Sequence, residues 1–142
     1  MTIYLFDFDN TIVELPYKES INYMDTDESL SPNLPFKLIK KTREDYKHAV
    51  KNNDGPIFVL SNRVVEVRKA LENILEVFGF KFDDFFIEDE DRNKGNRLKR
   101  ILKNHPGCTR VKFWEDKDKH INSVKEVMKD YPEVELEIIK TL

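Results

Sequence analysis

The sequence is poor in the features that mark most specialised classes of protein. It holds one cysteine, Cys108, so no disulfide can form within the chain and nothing points to an oxidising compartment. No histidine follows Cys108 at a metal-binding spacing, which leaves a small buried filler as its natural role. There is no excess of basic charge: 24 Lys and Arg stand against 27 Asp and Glu, for a net charge of -3 and a pI near 5.7. A strongly basic nucleic-acid-binding domain, with a pI above about 9, is excluded, although a local basic patch is not. No apolar run approaches the ~18 residues of a membrane span. The N-terminus lacks the basic region, long apolar stretch and small-residue cleavage site of a signal peptide, so a cytoplasmic protein is expected. Repeats and low-complexity tracts are also lacking.

What the chain does have is size and charge. Its 142 residues, 39% hydrophobic and 36% charged, are enough for one domain with a real core, expected to run over 1–142. Short apolar runs alternate with longer amphipathic stretches, the pattern of a parallel sheet with crossover helices. Strands are predicted at residues 3–6, 56–62, 110–114 and 133–139, with a short one at 82–87. The alternation of apolar and charged residues at 133–139 suggests a sheet edge with one wet face. Helices are predicted at 37–52, on a stripe of Leu38, Ile39, Tyr46 and Val50, and at 65–80, on Val67, Ala70, Leu71, Ile74, Leu75 and Phe78 with Gly79 as the C-terminal cap. Two more are predicted at 94–104 and 121–130. Residues 13–36, with three prolines and the polar run DTDESLS, are too long for an ordinary connection and read as a small insertion or lid.

In an open α/β sheet, ligands bind beyond the carboxyl ends of the strands. Asp7, Asp9 and Thr11 follow the first strand. Ser61, Asn62 and Arg63 follow the second, Lys94 opens a helix, and Glu115 and Asp116 follow the third long strand. If the strands are parallel, these groups meet on one rim. Side-by-side carboxylates such as Asp7 and Asp9 repel each other, and a divalent cation relieves that repulsion. Mg²⁺ is commonly held by one or two carboxylates together with water and phosphate oxygens; Asp7 and Asp116 are the first candidates. A carboxylate is also a competent nucleophile towards phosphorus. The inventory suits phosphoryl transfer, with Asp7 as nucleophile, Asp9 as general acid and base, and Ser61 and Lys94 on the phosphoryl oxygens.

These residues carry a family resemblance. FDFDNTI resembles the first motif of the haloacid dehalogenase superfamily of phosphotransferases, a strand followed by Asp-x-Asp-x-Thr. IFVLSNR, Lys94 in NKGNRLKRIL, and VKFWED resemble its second, third and fourth motifs. The resemblance runs from residue 2 to about 124. It implies a three-layer, Rossmann-like α/β fold with a central, mostly parallel sheet and no large cap. It further implies a Mg²⁺-dependent phosphomonoester hydrolase working through an aspartyl-phosphate. Carried over, Asp7 is nucleophile and metal ligand, and Asp9 is acid/base and metal ligand through its carbonyl. Thr11, Ser61, Asn62, Arg63 and Lys94 bind substrate phosphate, and Asp116, assisted by Glu115, completes the metal site. Many members place a second acid four residues after the late aspartate, where this chain has His120. WEDKDKH is similar instead to the ending of a subgroup associated with RNA and polynucleotide end repair. SNR is similar to the second motif of polynucleotide 3′-phosphatases, with arginine for glutamine. The implied partner is a phosphorylated small molecule or a nucleic-acid end; a phosphate-binding module without useful turnover is the alternative.

Plainer readings stand beside these. Ser61 can cap the following helix, Lys94 can be a surface lysine with Arg97 or Lys99 in its place, and His120 can be structural. Arg63 can pair with the acidic EDED loop at 88–91, and Trp114 belongs in the core rather than under a nucleobase.

Overall fold

The computed structural model describes all 142 residues, Met1–Leu142. Five parallel strands form the central sheet: β1 (Thr2–Phe6), β4 (Ile57–Ser61), β5 (Asp84–Ile87), β6 (Arg110–Glu115) and β7 (Glu135–Lys140), in the order β5-β4-β1-β6-β7. The central strand β1 is buried along its whole length. It reads as an unbroken apolar run because helices cover both of its faces. Alternate residues go to opposite layers. Tyr4, Phe6, Ile57, Val59 and Trp114 join one core, beneath α2 (Lys40–Asn52) and α3 (Arg68–Val77). Ile3, Leu5, Phe58, Leu60, Val111 and Phe113 join the other, beneath α4 (Lys94–Asn104) and α5 (Asp118–Met128). The result is the three-layer arrangement expected from the sequence.

Strand positions agree with their predicted ranges to within two residues at either end. β7 lies at the sheet edge, as its alternation suggested. The helix predicted at 94–104 is found at those bounds as α4, and the other helices shift by up to three residues at an end. The stretch 65–80 begins as a 3-10 turn (Val65–Val67) before α3. It ends at Gly79, whose φ of 84° no other residue type adopts so freely. There the Gly79 and Phe80 amides donate to the Glu76 and Leu75 carbonyls, the paired bonds of a Schellman cap. The predicted stripe of α2 needs correction. Thr42, Tyr46 and Ala49 are buried, whereas Val50 is exposed. Leu38 lies before the helix, in a strand, and Ile39 is its N-cap, so the buried stripe of the helix begins at Thr42. Cys108 is buried and Trp114 is a core residue, its ring stacked on Phe6 at 4.0 Å and its indole donating to Asp45 at 2.9 Å.

The insertion is ordered. Its ends, β2 (Val13–Glu14) and β3 (Lys37–Leu38), pair antiparallel, and between them lie a one-turn helix α1 (Ile21–Met24) and a 3-10 turn (Asp27–Leu30). Leu30 is buried in the same core as Phe8 and Ile12, which fastens the insertion beside the end of β1. No helix is long and apolar enough to cross a membrane.

Candidate functional site

From β1 the chain builds outward through β4 and β5, then returns across the sheet to build β6 and β7 on the other side. The strand order therefore reverses between β1 and β6, and the carboxyl ends of those strands frame the crevice where open α/β sheets bind ligands. Asp7 follows β1, its amide still paired to the Trp114 carbonyl at 3.0 Å. Glu115 is the last residue of β6, and Asp116 follows it. A cavity of about 440 Å³ opens there, lined by Asp7, Asp9, Asn62, Arg63, Lys94, Glu115 and Asp116 together with Arg92, Lys117, Lys119 and His120. Seven of the nine candidates named from the sequence thus meet in one place. Thr11 and Ser61 sit behind its wall.

Oxygens of Asp7, Glu115 and Asp116 lie within 4.8 Å of one another. Lys94 is the one cation bonded to this group. It reaches over from the first turn of α4, donating to Asp7 Oδ1 at 2.9 Å and Glu115 Oε1 at 2.5 Å, and it is 1% exposed. It is not the surface lysine of the plainer reading. Burial opposes its charge, but the two carboxylates outweigh burial and hold its pKa above the usual value. Glu115 Oε2 accepts from the Asp116 and Lys117 amides at 3.0 and 3.3 Å. That bonding ties the Glu115 carboxylate to the two residues that lead into α5.

Three acids against one lysine leave surplus negative charge. Asp7, despite its burial, is held below the usual carboxylate range, chiefly by Lys94. Burial and the Asp7 charge push Glu115 up to about 9. Burial likewise pushes Asp116 up to about 6. The Lys94 ammonium favours ionised Glu115, but it is shared with Asp7 and cannot offset the crowding. Asp116 Oδ1 is buried with no hydrogen-bond partner. A buried acceptor of this kind calls for a partner, and a hard cation with oxygen ligands fits the donor set.

Thr11 and Arg63 require correction. Thr11 is fully buried; its hydroxyl donates to Asp7 Oδ2 at 3.2 Å and lies 2.9 Å from the Thr141 hydroxyl. It orients Asp7 and does not face a ligand. Arg63 does not pair with the EDED loop. It bonds Asp9 through Nε at 3.1 Å and Nη2 at 2.7 Å, while Nη1 donates to the Met24 carbonyl and Ser29 Oγ and Nη2 also reaches the Tyr17 hydroxyl. With its guanidinium donors engaged, Arg63 has none left for a substrate phosphate. The EDED loop instead pairs with Arg100, through Glu88 and Asp91. Asp9 carries a raised pKa because burial outweighs Arg63.

Replacing Arg63 by Met should leave Asp9 unpaired and cut the insertion loose at three points. The expected cost is about 3 kcal/mol, read as a lower urea midpoint, with faster proteolytic cleavage between residues 17 and 29.

The Ser61 hydroxyl oxygen accepts from the Arg63 amide at 3.1 Å, which leaves its proton free to donate. Asn62 donates to the Arg92 carbonyl at 3.0 Å. His120 lines the cavity, and burial pulls its pKa down to about 4, so the ring is neutral. Gly95 has no room for a side chain, since a Cβ there would lie 2.2 Å from the Ser123 carbonyl; this close approach of α4 to α5 is what brings Lys94 to the site. Sequence reasoning missed Thr141, which closes the site from the far end of the chain, and the Tyr17, Met24 and Ser29 contacts. It weighed Arg97 only as a substitute for Lys94, although the apolar stripe Leu98, Ile101 and Leu102 already places residue 97 on the buried face of α4.

No protein-family model matches the chain, and no curated protein matches it. Solved structures do, among them the following two. A chain of the Pnkp1/Rnl/Hen1 complex superposes with a TM-score of 0.68 at 16% identity, over 99% of this chain and 45% of that one. A chain of the Pnkp1/Rnl/Hen1 RNA repair complex superposes with a TM-score of 0.66 at 17% identity, over 99% of this chain and 42% of that one. The present chain therefore spans less than half the length of the chains it matches, and at these identities the likeness is one of fold.

Proposed function

We propose that this chain is a Mg²⁺-dependent phosphomonoester hydrolase of the haloacid dehalogenase type, and that its substrate is a phosphorylated nucleic-acid end. The observation that carries the reading is the convergence of Asp7, Glu115 and Asp116 within 4.8 Å with Lys94 bonded to the first two, at the point where the strand order reverses. The nucleic-acid end is favoured over a small metabolite because the structural neighbours belong to an RNA repair complex. A small insertion in place of a large cap also leaves the site accessible to a large substrate.

Asp7, Glu115 and Asp116 are the residues that would hold Mg²⁺; when bound, the ion would neutralise the surplus charge and polarise the phosphoryl oxygens. Asp7, ionised at neutral pH, attacks phosphorus, and the bond to the leaving oxygen breaks as an aspartyl-phosphate forms. Asp9 delivers its proton to that oxygen, then takes one from the water that hydrolyses the aspartyl-phosphate. Lys94 retains a third N–H which, with the Asn62 amide at the cavity wall, serves the phosphoryl oxygens; Ser61, fully buried behind that wall, supports the turn that carries Asn62. Thr11 and Arg63 act by holding Asp7 and Asp9 in place.

The test is hydrolysis of an aryl phosphate and of oligonucleotides phosphorylated at the 3′ or 5′ end. Turnover is expected with Mg²⁺ and none with excess chelator; equal rates in both would overturn the reading. The second reading, a binding module without turnover, is favoured by the engagement of both Asp9 oxygens by Arg63. It predicts tight binding of phosphate analogues by a protein that turns over none of these substrates.

Proton linkage gives a separate expectation. Burial and the Asp7 charge raise the Glu115 pKa in the folded, metal-free protein well above the ordinary glutamate value of about 4.3 that the unfolded chain keeps, which opens a window between the two. The folded state binds more protons across that window, so the stability contributed by this group falls as pH rises. Mg²⁺ displaces the proton. The melting temperature in chelator should fall between pH 6 and pH 9, and Mg²⁺ should raise it more at pH 8.5 than at pH 6.

A further inference from the structure

Arg97 is the largest of the fully buried side chains, 2% exposed, and it has no carboxylate partner. One turn after Lys94 on α4, it lies under the ends of β4 and β5. Nη1 donates to the Ser61 carbonyl at 2.7 Å and the Phe86 carbonyl at 2.9 Å, and Nη2 donates to Asn62 Oδ1. Nε is buried with no partner. The nearby acids are committed elsewhere, Glu88 and Asp91 both pairing with Arg100. A buried cation that bonds only neutral oxygens is costly, and burial draws its pKa down to about 10. A leucine or methionine would fill the space without that cost. What the guanidinium alone provides is a planar fork that grips two consecutive residues, Ser61 and Asn62, and a positive charge behind them.

We propose that Arg97 is a positioning residue for anion binding: it fixes Ser61 and Asn62 at the β4 terminus, and its unpaired charge finds its counter-charge in a phosphate held beyond them. This rests on the assignment of Asn62, which lines the cavity, to phosphate in the reading above. Arg97 does not touch the substrate. It acts through the Ser61 carbonyl and the Asn62 side chain, and through its field, which is little screened at a buried site. Lys94 and Arg97 then divide the work of α4: the first touches the carboxylates and the phosphoryl oxygens directly, the second acts from behind Ser61 and Asn62.

The experiment compares wild type, Arg97→Lys and Arg97→Met by calorimetric titration with inorganic phosphate, by titration with Mg²⁺ alone, and by steady-state hydrolysis of an aryl phosphate. In Arg97→Met, phosphate affinity is expected to fall about 10- to 30-fold and KM to rise in parallel, an effect of the size of a charge-assisted hydrogen-bond network. Mg²⁺ affinity should stay within about twofold, because Asp7, Glu115 and Asp116 do not contact Arg97. Arg97→Lys, which keeps the charge and loses the fork, is expected to fall between, about 3- to 10-fold down. A purely structural Arg97 would lower the melting temperature and weaken Mg²⁺ and phosphate binding together, or leave both unchanged; either result overturns the proposal. If Arg97→Met does not fold, Arg97→Lys decides: phosphate affinity within twofold of wild type overturns it, and a selective loss supports it. Wild type that binds phosphate but hydrolyses nothing would sink the hydrolase reading while leaving the Arg97 test intact.

Discussion

Replacing Asp7 by Asn should abolish Mg²⁺-dependent phosphate hydrolysis, lowering kcat by about 10³-fold or more, which corresponds to about 4 kcal/mol in the barrier. The amide is nearly the same size, so the Thr11 and Lys94 contacts have close replacements and the fold should persist. What is lost is the anionic oxygen that attacks phosphorus. One of the three carboxylates at the convergence point is lost too, so Mg²⁺ affinity should also drop. Circular dichroism with a rate assay reads both halves of the expectation. Hydrolysis at the wild-type rate by a folded Asp7→Asn protein would remove Asp7 from the chemistry.

The second large effect is expected for Lys94→Met and does not depend on catalysis. Lys94 is the shared partner of Asp7 and Glu115, all three being nearly inaccessible to water. Removing it leaves buried carboxylates facing each other, at an expected cost of about 3–5 kcal/mol. The folded protein relieves that repulsion by binding a proton, and protonation is easier at low pH. The deficit in urea-unfolding free energy, measured in chelator, should therefore be larger at pH 8 than at pH 5. Mg²⁺ at pH 8 should restore part of it by replacing the missing positive charge. A deficit equal at both pH values and indifferent to Mg²⁺ would mean that Lys94 contributes packing and not charge balance.

How far the sequence could be read depended on what each residue's role requires. Strands β1 and β4 were legible because strands buried on both faces must be continuously apolar; β6, where Arg110 and Lys112 alternate with Val111 and Phe113, shows the period of two instead. Acids, hydroxyls and amides directly after such strands stand out against the apolar background, which made Asp7, Asp9, Ser61, Asn62, Glu115 and Asp116 visible. Which way a side chain turns was not legible. Thr11 lies beside residues that line the cavity and Arg63 is one of them, yet neither has a donor free for a ligand: Thr11 is turned to Asp7 and Thr141, and Arg63 is spent on Asp9 and the insertion. Thr141 and the insertion residues are 130 and up to 46 positions away in sequence, and no local pattern announces them. The insertion was legible as an interruption, through its length and prolines, but not as a flap tied down by Arg63. Arg97 was hidden for another reason: a charged residue on a helix is ordinarily solvated, and only its phase with Leu98 and Ile101 marks it as buried.

The measurement that bears most directly on this site is a crystal structure of the protein grown with Mg²⁺ and beryllofluoride. The expected density places beryllofluoride on an Asp7 oxygen, beside Lys94 and Asn62, with one Mg²⁺ ion among Asp7, Asp116 and Glu115. An ion bound away from these three acids, or beryllofluoride on any residue other than Asp7, would contradict it.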